Sequence, residues 1–113
     1  MPRVLCGSQR QQSLMRRGDV YAHPKIDRRF VVVSTDRLTE TGTVIIAEIK
    51  GEIPAELRGM LAVGLRPDDP VAGAVLGWRV NYVAAHRLGE HLGRLSDETM
   101  EVVAMALRTA MDL

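Results

Sequence analysis

The sequence predicts a mainly β (α+β) domain, a small antiparallel β-barrel closed by a C-terminal α-helix. Three observations point there. Short β-branched runs, Phe30–Val33 and Val44–Ile46 among them, recur between Gly, Pro and Asp punctuation. The stretch Arg28–Lys50 reads as one hairpin with a long polar loop, in which Gly42 supplies a positive φ where the chain re-enters the sheet. Sustained helical spacing is confined to the end of the chain, after Ser96.

The elements follow in order. Residues 1–14 show neither strand nor helix periodicity and are expected to form a disordered extension, leaving residues 15–113 as the domain. Gly18–His23 alternates Val20 and Ala22 with polar neighbours, a half-buried strand that Pro24 ends. After the hairpin, Pro54 breaks the chain, Ala55–Arg58 reads as a helical turn and Met60–Leu65 as a core strand. Arg66–Pro70 (RPDDP) is a turn, and the glycine-interrupted run Val71–Leu76 reads as a bent strand. Trp78–Val83 alternates, with Trp78, Val80 and Tyr82 on one face and Arg79 and Asn81 on the other. A helical turn at His86–Leu88 and an edge strand over Glu90–Leu95 lead to the last helix. Ser96 is its N-cap, with Asp97 and Glu98 complementing the dipole. Met100, Val103, Leu107 and Ala110 form its inner face, and Val102, Met105 and Met111 widen it, as core filling or as a homodimer contact.

At 113 residues, with 46% hydrophobic and 26% charged side chains, one ordinary domain is expected. No apolar run is long enough to span a membrane, and Val4–Cys6 is too short a block for a secretory signal. With a single cysteine, a cytoplasmic setting is expected. The net charge of +1 hides a split. Residues 1–29 carry seven Lys/Arg against two Asp, and the remainder eight basic against twelve acidic side chains. A basic end of this kind suits a polyanion.

His23, His86 and His91 lack metal-ligand spacing and no glycine-rich phosphate loop precedes a helix, so neither a metal nor a cofactor is expected. What remains is the cluster of Arg28, Arg29, Glu48 and Lys50 at the hairpin ends, with Arg16, Arg17 and His23 near it in sequence. Such a set could cleave RNA: a base deprotonates the 2′-OH, cations stabilise the phosphorane, and an acid protonates the leaving oxygen. Taken singly, each residue also reads as a solvated strand end, a salt-bridge partner or a loop side chain.

At these residues the chain resembles the MazF/PemK family of toxin endoribonucleases. Arg16–Tyr21 (RRGDVY), Arg29–Ser34, Thr43–Ile49 (TVIIAEI), Lys50-Gly51, Arg87-Leu88 and Leu92–Met100 match its motifs in order. The resemblance implies an SH3-like barrel, a homodimer, metal-independent cleavage of single-stranded RNA and neutralisation by a small cognate antitoxin. It maps the family's catalytic arginine to Arg29, and the place of its Thr or Ser partner to Lys50 or Ile49. Glu48 completes the catalytic set, and Arg16, Arg17, His23, Arg28 and Arg79 are the expected RNA contacts. Trp78–Asn81 departs from the family's acid-glutamine-apolar-arginine stretch, and Pro24–Asp27 is a shortened loop. A non-enzymatic binding module, an inactive antitoxin-binding relative or a CcdB-like gyrase inhibitor are the alternatives.

Overall fold

The computed structural model describes residues 15–51 and 61–111. The expected extension over 1–14, the helical turn at Ala55–Arg58 and the last two residues lie outside them. Among the described residues six antiparallel strands form one curled sheet: β1 (Asp19–Ala22), β2 (Arg29–Val32), β3 (Thr43–Lys50), β4 (Ala62–Gly64), β5 (Ala74–Ala84) and β6 (His91–Arg94). Their order is β4-β5-β3-β2-β1-β6, a half-barrel with β4 and β6 at its edges. The mainly β architecture with a closing helix is as expected.

Two details refine the expectations. The hairpin loop contains a four-residue helix, α1 (Asp36–Thr39), whose N-cap Thr35 accepts from the Leu38 amide. The spacing of apolar residues gave no sign of it, because so short a helix has no face to bury. Gly42 has φ +90°, as the turn requires. The runs on either side of Gly77 belong to one long strand, β5, rather than two.

That strand turns a corner beside Glu48. Ala47 pairs with Val80 and Ile49 with Val75, so Glu48 alone stands opposite Leu76–Arg79. Extra residues on one side of a ladder bend that strand and re-aim its side chains. The half before the bend pairs with β4 on one side and the end of β3 on the other, and the half after it pairs with β3.

The sheet buries both faces, which is why β3 reads as an almost unbroken apolar run. Ala47 and Ile49 join Val20, Val31, Val75 and Leu95 in the main core, where the terminal helix α2 (Asp97–Met111) contributes Met100, Val103 and Ala106. Val44 and Ile46 face the other way, into a smaller cluster with Val32, Met15 and Ala85. The inner face of α2 therefore uses Ala106 where Ala110 was expected; Ala110 is exposed. Val102, Met105 and Met111 are 47%, 61% and 47% exposed, so they are not core filling.

Ser96 caps α2 as expected, its hydroxyl accepting from the Thr99 amide at 3.2 Å. The RPDDP turn is tied to this helix start through buried Asp69, which accepts from the Ser96 amide at 3.1 Å and the Thr99 hydroxyl at 3.0 Å. Among the described residues no helix is long and apolar enough to cross a membrane.

Candidate functional site

His23 organises the short β1–β2 connection. Its backbone N–H donates to the Arg28 carbonyl at 2.8 Å. Its ring Nδ1 accepts from the amides of Lys25 and Ile26 at 3.0 and 3.2 Å. With Nδ1 accepting, the neutral ring carries its proton on Nε2. The turn delivers Arg28 to the mouth of β2, one residue before its first ladder pair, Arg29 with Ile49.

The next pair, Phe30 with Glu48, puts Glu48 on the face opposite Ile49. There the Arg28 guanidinium grips the Glu48 carboxylate through two hydrogen bonds, Nε to Oε2 at 2.9 Å and Nη2 to Oε1 at 3.1 Å. Arg79, re-aimed by the bend in β5, reaches Oε1 through Nε at 3.0 Å. The Glu48 side chain is 6% exposed, against 40% for Arg28 and 46% for Arg79. A buried carboxylate thus sits beneath two guanidiniums that still meet solvent. Burial acts to raise the Glu48 pKa, but the hydrogen bond and charge of Arg28, then the charges of Arg79 and Lys50, outweigh it and hold the group below the ordinary glutamate range.

These residues stand on the wall of an open cleft of about 860 Å³. Its apolar lining comes from Phe30, Ile46, Val80, Val83 and Leu88, and its polar rim from His23, Asn81, His86 and Arg87.

Of the residues singled out in the sequence, Arg28, Glu48, Arg79 and His23 come together here. Lys50 does not line the cleft; it is exposed at the end of β3, near enough for its charge to act on Glu48. Arg29 pairs across the ladder with Ile49, so it shares the main-core face and points away from the cleft. Its Nε is buried and has no hydrogen-bond partner among the described residues. Arg16 and Arg17 also lie elsewhere. The Arg16 amide donates to Asp19 and the Arg17 amide to Asp36, while the Arg17 side chain reaches the Met100 carbonyl at 3.4 Å. Asn81, His86 and Arg87 also line the cleft and are not among the residues expected from the sequence. The alternation that paired Asn81 with Arg79 was the available signal for the first.

The curled half-barrel thus carries an arginine-clamped carboxylate on the wall of an open cleft. Residues 16–111 match the family described as PemK-like, MazF-like toxin of type II toxin-antitoxin system, and the chain belongs to that family. A search of curated proteins finds no match. Among solved structures it is similar to an endoribonuclease from a mycobacterial species, with 25% identity and a TM-score of 0.77 over 87% of this chain and 91% of that one. A mycobacterial endoribonuclease in complex with its cognate antitoxin gives 25% identity and a TM-score of 0.74, covering 87% and 93%. A MazE–MazF structure from Deinococcus radiodurans shares the fold at 18% identity, with a TM-score of 0.73 over 87% and 96%.

Proposed function

We propose that the protein is a toxin acting in the cytoplasm as a metal-independent endoribonuclease on single-stranded mRNA, with Arg28, Glu48 and Arg79 as its reacting centre. The observation that carries this reading is the buried Glu48 carboxylate held by two half-exposed guanidiniums on the wall of an open cleft.

In the proposed step Glu48 takes the proton of a ribose 2′-OH. The 2′-oxygen bonds to the adjacent phosphorus, the bond from phosphorus to the 5′-oxygen breaks, and a proton returns to that oxygen. The products are a 2′,3′-cyclic phosphate and a free 5′-OH. Arg28 and Arg79 neutralise the charge that builds on the phosphorane oxygens, the part a metal ion plays elsewhere. His86, on the cleft rim, returns the proton, and His23 offers its Nε2–H to a phosphate oxygen.

The balance at Glu48 favours this use. Unliganded, the carboxylate is ionised, the form a base needs, though its depressed pKa makes it a weak one. A phosphate entering the cleft draws the guanidiniums toward itself. Burial then dominates and raises the basicity of Glu48 when the 2′-OH is in place.

Arg28, rather than Arg29, is the arginine of this centre, because its guanidinium is the one beside Glu48 in the cleft. Lys50, outside the cleft, acts only through its charge on Glu48. The partner is a cognate antitoxin whose acidic side chains would compete with RNA for Arg28 and Arg79, and two copies of the chain form the working unit.

The test is incubation of the purified protein with a long mixed-sequence RNA in EDTA. Fragments ending in 2′,3′-cyclic phosphate are expected. Arg28→Lys and Glu48→Gln should each lower the rate about 10²- to 10³-fold. Intact RNA at high protein excess, or growth arrest on expression with mRNA uncut, would overturn the reading.

A further inference from the structure

Asn81 lies in the cleft but outside the arginine–carboxylate cluster, and its side chain is constrained in an informative way. Its Oδ1 accepts from the Tyr82 backbone N–H at 2.9 Å. An amide N–H can only donate, so the oxygen must face the backbone, which fixes which way round the carboxamide lies. The two N–H groups of Nδ2 are therefore the part of Asn81 left to meet a ligand.

Its position is equally constrained. Asn81 pairs with Ile46, two residues from Glu48 along the same face of β3. At about 3.3 Å per residue this separates Asn81 from the catalytic carboxylate by roughly 7 Å along the strand. That is about one nucleotide step of an extended strand. Beside it Ile46, Val83, Phe30 and Leu88 give an apolar surface on which a flat base can rest.

We infer that Asn81 is a specificity-determining residue: it selects a keto base, uracil or guanine, at the nucleotide next to the scissile phosphate. Uracil O4 or guanine O6 accepts an N–H of Nδ2, whereas at that same edge position cytosine and adenine carry an amino group, which sets a donor against a donor. The inference rests on the ribonuclease reading and adds what the enzyme recognises.

The test uses two arms. In the first, a random-sequence RNA is cut briefly and the new ends are sequenced. Wild type should show uracil or guanine enriched about tenfold at one fixed position beside the cut, within the discrimination a good base contact supplies. Asn81→Ala should flatten that position. Asn81→Asp, which keeps the shape but can only accept, should shift it toward cytosine or adenine. In the second arm, wild type and Asn81→Asp are titrated with fluorescent 2′-deoxy oligouridine and oligocytidine, which lack the attacking hydroxyl and stay intact. Wild type should favour the uracil strand and the variant should lose that preference. Cleavage with a base preference unchanged in Asn81→Ala would overturn the inference and leave the ribonuclease reading standing. Oligonucleotide binding that discriminates in wild type, without any RNA cleavage, would overturn the ribonuclease reading and keep Asn81 as a base reader. Equal binding of both strands together with no cleavage would remove both.

Discussion

At Glu48 two opposing effects meet, and the pH dependence of folding follows from which one wins. The guanidinium contacts outweigh burial, so the folded pKa lies below the ordinary glutamate value of 4.5. On acidification the unfolded chain takes up the proton first. The stabilisation is thus complete above about pH 4.5 and is lost as pH falls through the lower folded value. Thermal melts should show an acid limb that Glu48→Gln flattens. Tyr21 acts at the other end. Burial, with the charge of Asp19 and against that of Arg94, pushes its phenol up to about 12. Above about pH 10 the unfolded chain loses this proton first, so stability falls between about 10 and 12, and Tyr21→Phe should remove that contribution. The adjacent arginines make a sharper comparison. Arg28→Ala should abolish cleavage, whereas Arg29→Ala should leave any folded protein active to within a few-fold. The opposite pattern in the RNA assay would return the catalytic role to Arg29. The family resemblance points to Arg29, whereas the ladder register puts Arg28 beside Glu48 and Arg29 on the core face, because a shift of one residue on a strand reverses the face.

Among the elements, β5 carries the most information per residue, since its bend sets Arg79 over Glu48 while its first half closes the core. Gly77 sits at the bend, donating its N–H to the Leu61 carbonyl at 2.7 Å. A Cβ there would stand 2.7 Å from the Leu61 carbonyl oxygen and 3.3 Å from that of Ala106. Both obstacles are backbone, which gives way poorly. Gly77→Ala should destabilise by about 1–3 kcal/mol, read as a lower urea midpoint at unchanged slope. The sequence announced this glycine as a break between two strands. It could not announce that the chain continues through the break, because continuity depends on β3 offering a single residue, Glu48, across from four. β1, β6 and α2 were legible from local signals: alternation, a proline stop, a serine cap. The α1 turn was not, having no periodicity to read. The candidate site was half legible for the same reason. Charged residues at strand ends stood out, but the pairing of Arg28 and Arg79 on one carboxylate is a product of register and of the bend.

For the molecule as a whole, the apolar side chains left outside bear on assembly. Trp78 is 41% exposed, Tyr82 74%, Val102 47% and Met105 61%. Trp78 and Tyr82 lie on the face of β5 opposite Arg79 and Asn81, away from the cleft. Val102 and Met105 lie one turn apart on α2, beside its buried Met100–Val103–Ala106 face. Ala106 packs against Gly77, the residue before Trp78, so α2 crosses the sheet beside Trp78. A second copy meeting this surface would bury the same side chains on both partners. Each fully buried one contributes about 1.5–3 kcal/mol, against roughly 4–15 kcal/mol for immobilising two bodies. A dimer of micromolar or tighter affinity is then expected, with the clefts left open because they lie on the other face of the sheet. Sedimentation of the wild-type protein across the micromolar range should give a dimer. Met105→Glu would place a charge in the contact and should shift the chain to monomer, whereas Met105→Leu should not. Both variants should keep the wild-type melt at low concentration, since Met105 has no part in the core. A wild-type monomer at high micromolar concentration would remove the dimer, and equal sedimentation of Met105→Glu and wild type would move the contact to another face.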